Sequence, residues 1–259
     1  MVSKASITYL GHATLMIEMD ETRLLTDPIL RKRVAHLHRK VPLFSVEEGI
    51  DAVLISHLHW DHLDMPSLRR LGVETCLIVP RGGAALVRKW GFKHVQEMEP
   101  GEIITVGGIG VEATPADHSG KRFPFGPTVV PMGYMMRGSY KIYFAGDTEE
   151  FPEMMAYAQG LDVALLPVWG WGPNLGDGHM DPNDAVEALG FLNPRLAIPI
   201  HWGTYFPFGL GWLKPTLLHM PPRKFARDAA ELAPQVEIKI LEPGESIVLA
   251  QVLNPHDKG

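Results

Sequence analysis

The apolar stretch Ala52-Val53-Leu54-Ile55 runs directly into Ser56-His57-Leu58-His59-Trp60-Asp61-His62-Leu63, a His-x-His-x-Asp-His run. A strand that ends in such a loop can aim its first two histidines at one metal ion and turn the following Asp-His pair toward a second. Imidazole and carboxylate donors suit Zn(II) and tolerate Mn(II) or Fe(II), and no clustered thiols are present to build a structural zinc site. The expectation is two divalent metal ions and hydrolytic chemistry. The alternative, four polar residues on an exposed turn, leaves three histidines within six residues without a purpose.

At 259 residues and 46% hydrophobic content the chain can bury a sizeable core, as one large α/β domain spanning 1–259 and built from two halves. No apolar run reaches the roughly 18 residues that span a bilayer, and the N-terminal residues lack the apolar core of a signal peptide, so a cytoplasmic location is expected. Cys76 is the only cysteine, which excludes an intrachain disulfide, and it reads as a core residue. The net charge of −6 disfavours nonspecific nucleic-acid binding. Against that background, Arg31, Lys32, Arg33, Arg39 and Lys40 place five cations without an acid in 31–40. This run is either a solvated face or a mobile flap that recruits a negatively charged substrate.

Alternating residues predict strands over Ile7–Leu10 and Thr14–Met19, joined by Gly11-His12-Ala13, with Arg23–Thr26 continuing the sheet up to Asp27-Pro28. Asp51–Ile55 and Cys76–Val79 read as buried strands, with helices at Pro66–Leu71 and Gly83–Trp90. Glu102–Val106 and Val111–Thr114 form a hairpin through turn glycines, and no dinucleotide-binding fingerprint is present. Strands follow at Val129–Met136, Lys141–Ala145, Val163–Leu166 and Arg195–Ile200. Helices are expected at Pro152–Gln159, at Asp181–Leu192 and at Lys224–Leu232. Asp181-Pro182 is a helix start, because Asp caps free amides and Pro fits the first turn. Val236–Leu241 and Ser246–Gln251 close the chain as a strand pair. Strand-rich halves with interspersed helices predict two face-to-face sheets with helices outside, a four-layer αββα sandwich.

Three further candidates each end a strand-like segment: His118, Asp147 and His201. In this order the motifs resemble those of the metallo-β-lactamase superfamily, and the resemblance spans nearly the whole chain. It implies His57, His59 and His118 around one metal, Asp61, His62 and His201 around the other, and Asp147 bridging. Gly11–Glu18, Leu24–Pro28 and Gly178–Val186 look like the branch containing ascorbate-6-phosphate lactonase and N-acylphosphatidylethanolamine phospholipase D. The Gly-His-Ala opening is not that of true β-lactamases, so the resemblance does not imply antibiotic resistance.

Two dications sharing a hydroxide, with Asp61 and Asp147, leave a formal +1 at such a site, which favours a small anionic ester, lactone or phosphodiester. Asp61 and His179 are the candidate catalytic residues. His179 could stabilise an oxyanion or protonate a leaving group, or it could only serve the Asp181 helix start. Asp117 either orients His118 or satisfies a turn. His12 is a substrate-side group or a brace for the metal loop, and Asp27 reads as structural. His36, His38, His94, His219 and His256 default to surface or packing roles. The segments 123–127, 169–173 and 202–212 are aromatic and wall the cleft, with peripheral lipid contact or a homo-oligomer contact as further roles for the last. The competing readings are a metal-binding sensor or scaffold without turnover and a nuclease, the latter opposed by the acidic balance. An oxidoreductase would need an electron-delivery module, and none is legible.

Overall fold

The computed structural model describes residues 5–46, 49–122, 124 and 126–253. The expected aromatic wall residues Phe123 and Phe125, and His256, lie outside the described residues. The first part of the chain contributes β1 (Ser6–Gly11), β2 (Thr14–Met19), β3 (Thr22–Thr26), β4 (Arg33–Val34), β5 (Leu37–Arg39), β6 (Ala52–Leu54), α1 (Met65–Leu71), β7 (Leu77–Pro80), α2 (Ala84–Arg88) and β8 (Val95–Met98). There follow β9 (Ile103–Val106), β10 (Ile109–Pro115), β11 (Met132–Arg137), β12 (Lys141–Phe144), β13 (Val163–Pro167), α3 (Pro182–Leu192) and β14 (Leu196–Ile200). The last elements are β15 (Tyr205–Pro207), α4 (Leu210–Leu213), α5 (Met220–Leu232), β16 (Glu237–Ile238), β17 (Ser246–Val248) and α6 (Leu249–Leu253).

Two seven-stranded sheets result, in the orders β17-β1-β2-β3-β6-β7-β8 and β16-β14-β13-β12-β11-β10-β9. In each, an antiparallel meander passes into parallel strands, at β3-β6 in the first and β12-β13 in the second. Central parallel strands are buried on both faces, so they are continuously apolar, as Val163–Pro167 and Leu196–Ile200 are. Ile7, Leu15, Ile17 and Leu54 of the first sheet share one core with Val111, Tyr134, Phe144 and Ile198 of the second. Leu25, Val53, Leu77 and Val79 point the other way and bury Leu68 and Val87 of α1 and α2. Helices α3 and α5 cover the second sheet through Leu189, Leu192, Phe225 and Ala229. The architecture is the expected αββα sandwich. No helix among the described residues is long and apolar enough to cross a membrane.

Asp181 caps α3 as its sequence predicts, accepting from the amides of Asn183 and Asp184 while Asp184 returns a bond to the Asp181 amide. Such a cap contributes about 1 kcal/mol and fixes where the preceding loop must end.

Some expectations fail for physical reasons. The closing strands do not pair with each other: β16 lies parallel to β14 in one sheet and β17 antiparallel to β1 in the other. Each thereby covers an open sheet edge that a terminal hairpin would leave unpaired. The strand expected over Ser246–Gln251 ends at Val248, and Leu249–Leu253 is helical, while Pro152–Tyr157 is a 3-10 rather than an α helix. The basic segment is a short hairpin, β4-β5, extended by β15 into a third sheet. Arg39 is committed within it, donating to the carbonyls of Ile29 and Pro42 and to the Tyr205 hydroxyl.

Candidate metal centre

Strand β6 delivers His57 three residues past its end, at the point where the two sheets meet. The turn that follows is tight, with the amides of both His62 and Leu63 donating to the His59 carbonyl at 3.1 and 2.8 Å. Two side chains hold it from behind. Asp27 is fully buried and accepts from the Ser56 amide (2.8 Å), the Ser56 hydroxyl (2.6 Å) and His62 Nδ1 (2.8 Å). Arg122, also buried, donates to the carbonyls of Leu58 and Leu63 and stacks its guanidinium 3.9 Å from the Trp60 ring centroid. One cation thus pins both ends of the ligand-bearing turn.

The hydrogen bonds fix which nitrogen of each ring carries a proton, because a carbonyl can only accept. His118 Nδ1 donates to the Gly178 carbonyl (2.7 Å), His201 Nδ1 to that of Trp169 (2.8 Å) and His59 Nε2 to that of Lys121 (3.2 Å). His57 Nδ1 lies 2.9 Å from the Ser56 hydroxyl, whose own proton goes to Asp27. The opposite nitrogens therefore present lone pairs, and they converge. His59 Nδ1 and His118 Nε2 face each other at 3.0 Å, and His201 Nε2 stands 3.3 Å from Asp147 Oδ1. His57 Nε2 and Asp147 Oδ1 are buried without a hydrogen-bond partner. Facing lone pairs and orphaned buried acceptors repel one another unless a cation lies among them. The donors are imidazole and carboxylate, and Cys76 belongs to none of the clusters, so the set fits borderline divalent metals.

Among the described residues, four overlapping groups have their ligand atoms within 4.8 Å of one another: His57, His59 and His118; His12, Asp61, His62 and His201; His57, His62 and Asp147; and His118, Asp147 and His179. All seven expected ligands are brought together, with Asp147 reaching both sides. Burial holds His57 well below its ordinary range, lowers His59, and takes His118 to about 4 and His201 to about 3, so these rings are neutral bases at neutral pH. Burial opposes charge on His62 too, but the Asp147 and Asp27 carboxylates on its two sides outweigh it and raise the ring well above its usual range. For Asp61, burial is overcome by the His12 hydrogen bond and by His62, and for Asp147 by His201, His62 and His179. Both carboxyls therefore sit well below the ordinary carboxylate range.

The remaining candidates divide. His179 is brought to the site, with Nε2 3.4 Å from Asp147 and its ring 4.7 Å from that of His118. Burial disfavours its charge, yet the Asp147 hydrogen bond raises it to about 9. His12, left open by the sequence, donates from Nε2 to Asp61 Oδ2 (3.1 Å), and its carbonyl accepts from the His201 amide. Its φ of 61° and the φ of 107° at Gly11, where a Cβ would come within 2.8 Å of Thr204, explain the Gly-His turn. Asp117 does not orient His118, since the Gly178 carbonyl does. A Cβ on Gly178 would meet His118 Nδ1 at 2.7 Å, so only glycine permits that approach. His36 and His38 lie against Trp171 and Phe208, while His94 meets Glu74 at the surface. Sequence reasoning missed Ser56 and Arg122 as braces, and it read Trp171 as cleft wall without its 2.9 Å hydrogen bond to Asp61.

Comparison with known proteins agrees with this geometry. The family described as "Beta-lactamase superfamily domain" matches residues 22–202, a span that contains all seven expected ligands, His57 to His201, but not His12. The chain belongs to the beta-lactamase superfamily. Within the superfamily it is 34% identical over 255 residues to a UPF0173 metal-dependent hydrolase of Methanopyrus kandleri, covering 93% of this chain and 98% of that one. A UPF0173 metal-dependent hydrolase of Opitutus terrae is 35% identical over 252 residues, with the same coverage. Among solved structures, an isothiocyanate hydrolase from Delia radicum gut bacteria superposes with a TM-score of 0.74 at 19% identity, over 94% of this chain and 98% of that one. That last likeness is one of fold. The His/Asp clusters of this superfamily member are consistent with a hydrolytic dinuclear metal centre.

Proposed function

We propose that this beta-lactamase superfamily member hydrolyses a small anionic ester, lactone or phosphodiester, with two Zn(II) ions, or Mn(II) or Fe(II), as its cofactor. The observation that carries the reading is the convergence of two ligand clusters on the single carboxylate Asp147. His57, His59 and His118 would hold one ion, Asp61, His62 and His201 the other, and Asp147 both. When bound, such a pair lowers the pKa of water to near neutrality and polarises the substrate oxygen.

The chain's own residues supply the rest. His59, His118 and His179 are partly exposed while His57, His62 and His201 are buried, so substrate enters from the side of the first three. His179 is loosely held, with contacts of 3.2 Å to the Gly176 carbonyl and 3.4 Å to Asp147, and it can turn an N–H toward a developing oxyanion or a departing oxygen. The basic hairpin adjoins the site through its turn residue His36, whose ring centroid lies 4.9 Å from that of Trp171, which bonds Asp61. Arg39 is committed within the hairpin and Arg31 pairs with Asp64 at 2.6 Å, so Lys32 and Lys40 are among the cations this reading leaves for an anionic substrate. The resemblance of Gly11–Glu18 and Gly178–Val186 to the phosphate-ester and lactone branch points to the same substrate class. Assay of metal-replete protein on a phosphodiester, a phosphomonoester, a lactone and a carboxylic ester tests the reading. Selective turnover that a chelator abolishes is expected, and two bound metals with no turnover on any of them would favour a sensor or scaffold.

A further inference from the structure

One segment, residues 169–179, touches both clusters. The Trp169 carbonyl accepts from His201, the Trp171 indole N–H donates to Asp61, the Gly178 carbonyl accepts from His118, and His179 faces Asp147. Three of these contacts involve backbone or another imidazole. Trp171 is different, because it reaches a ligand through a side chain whose body is held elsewhere. Its ring packs against the apolar cluster of Ile29, Val34, Leu37 and Tyr205 beneath the basic hairpin, and meets His36 edge-on.

The contact falls on a specific atom. Asp61 Oδ2 accepts from Trp171 Nε1 at 2.9 Å and from His12 Nε2 at 3.1 Å, and the same oxygen stands 3.9 Å from Nε2 of both His62 and His201. A carboxylate on one freely turning bond would otherwise present either oxygen, or neither, to those imidazoles. Two donors from different directions hold one oxygen in place.

We infer that Trp171 is a positioning residue for the second metal site. Its N–H fixes the Asp61 carboxylate toward His62 and His201, and so couples that site to the seating of the 169–179 segment on the basic hairpin. The inference rests on the two-metal reading above. It predicts an asymmetry, since the first cluster, His57, His59 and His118, has no bond to Trp171. Loss of an outer hydrogen bond to a metal ligand costs about 10- to 100-fold in affinity.

The test is Zn(II) binding to wild-type and Trp171→Phe protein by calorimetry, with Co(II) visible absorption reporting ligand geometry as each equivalent is added. Phenylalanine keeps the aromatic packing and removes the N–H. The expected result is one equivalent bound as in the wild type and the other weakened about 10- to 100-fold, with altered Co(II) bands for the weakened equivalent alone. Two unchanged equivalents, or equal weakening of both, would overturn the role of Trp171. If the Phe variant fails to fold, benzothienylalanine at 171 replaces the N–H by sulfur at nearly constant shape, and the same comparison decides. A wild type that takes up fewer than two equivalents would sink the two-metal reading itself, which is a different outcome.

Discussion

The two ligand clusters meet at Asp147 but are built differently. The first, His57, His59 and His118, consists only of imidazoles, and its outward protons go to uncharged groups: the Ser56 hydroxyl and the carbonyls of Lys121 and Gly178. The second contains a carboxylate of its own, Asp61, and has another, Asp27, behind His62. His59 and His118 are partly exposed, whereas His62 and His201 are buried. The first cluster is thus neutral and the more open of the two, with only His57 fully buried, and the second carries a carboxylate and is the more closed, with only Asp61 partly exposed. A dication in the first would have Asp147 as its single anionic ligand, which would make the shared carboxylate more important there than in the second.

The largest effect should come from the shared residue. Asp147→Ala is expected to lower turnover by at least about 1,000-fold, equivalent to about 4 kcal/mol of barrier, and elemental analysis should show fewer than two metals retained per chain. Equal retention of both ions would break the comparison.

Removing Arg122 should destabilise the turn that feeds both clusters. Arg122→Ala strands the Leu58 and Leu63 carbonyls in a buried position, so a loss of about 3 kcal/mol is expected in urea denaturation. A loss under about 1 kcal/mol would mean that water replaces the guanidinium.

Acid should act through the lowered histidines. His118 at about 4 and His201 at about 3, with His57 and His59 also lowered, bind fewer protons folded than unfolded, where histidine titrates near 6.5. Stability of the chelator-treated protein should therefore rise with pH between about 5 and about 6.5, and be lost as pH falls toward the folded values. His62 and His179 are raised instead, so their contribution is complete below about 6.5 and declines only as pH climbs above it. Asp27, raised by burial, pulls the other way. A urea midpoint that fell between pH 5 and pH 6.5 would contradict the assignment of neutral ligands.

The smallest effect sharpens the contrast. Ser56→Ala removes the acceptor for His57 Nδ1 and should weaken metal binding at the first cluster about tenfold. The second should change less, although Ser56 also bonds Asp27, and calorimetry resolves the two.

The legible parts of the molecule were those carried by local pattern. Apolar runs ending at His57, His118, Asp147 and His201 marked strand ends, and the spacing of His57–His62 marked the ligand turn. The Asp181-Pro182 helix start was equally local. What stayed hidden depends on distant chain segments meeting. Nothing in the type of Trp171 or Ser56 announces its hydrogen bond to a metal-loop residue, and a glycine at 178 does not declare which carbonyl it exposes. The closing strands were misjudged for the same reason. Val236–Leu241 and Ser246–Gln251 look like a hairpin locally, but two separate sheet edges compete for them. Asp117 stayed undecided in the sequence because the group that serves its neighbour His118 comes from 60 residues away.

The central claim is that two ions share Asp147. Loading the protein with Mn(II) and recording its electron paramagnetic resonance spectrum tests this directly, because ions about 3.5–4 Å apart on a common ligand couple magnetically. An exchange-coupled multiline spectrum is expected at two equivalents per chain, collapsing to that of isolated ions in Asp147→Ala. A six-line spectrum of independent Mn(II) at every loading of the wild type would contradict it.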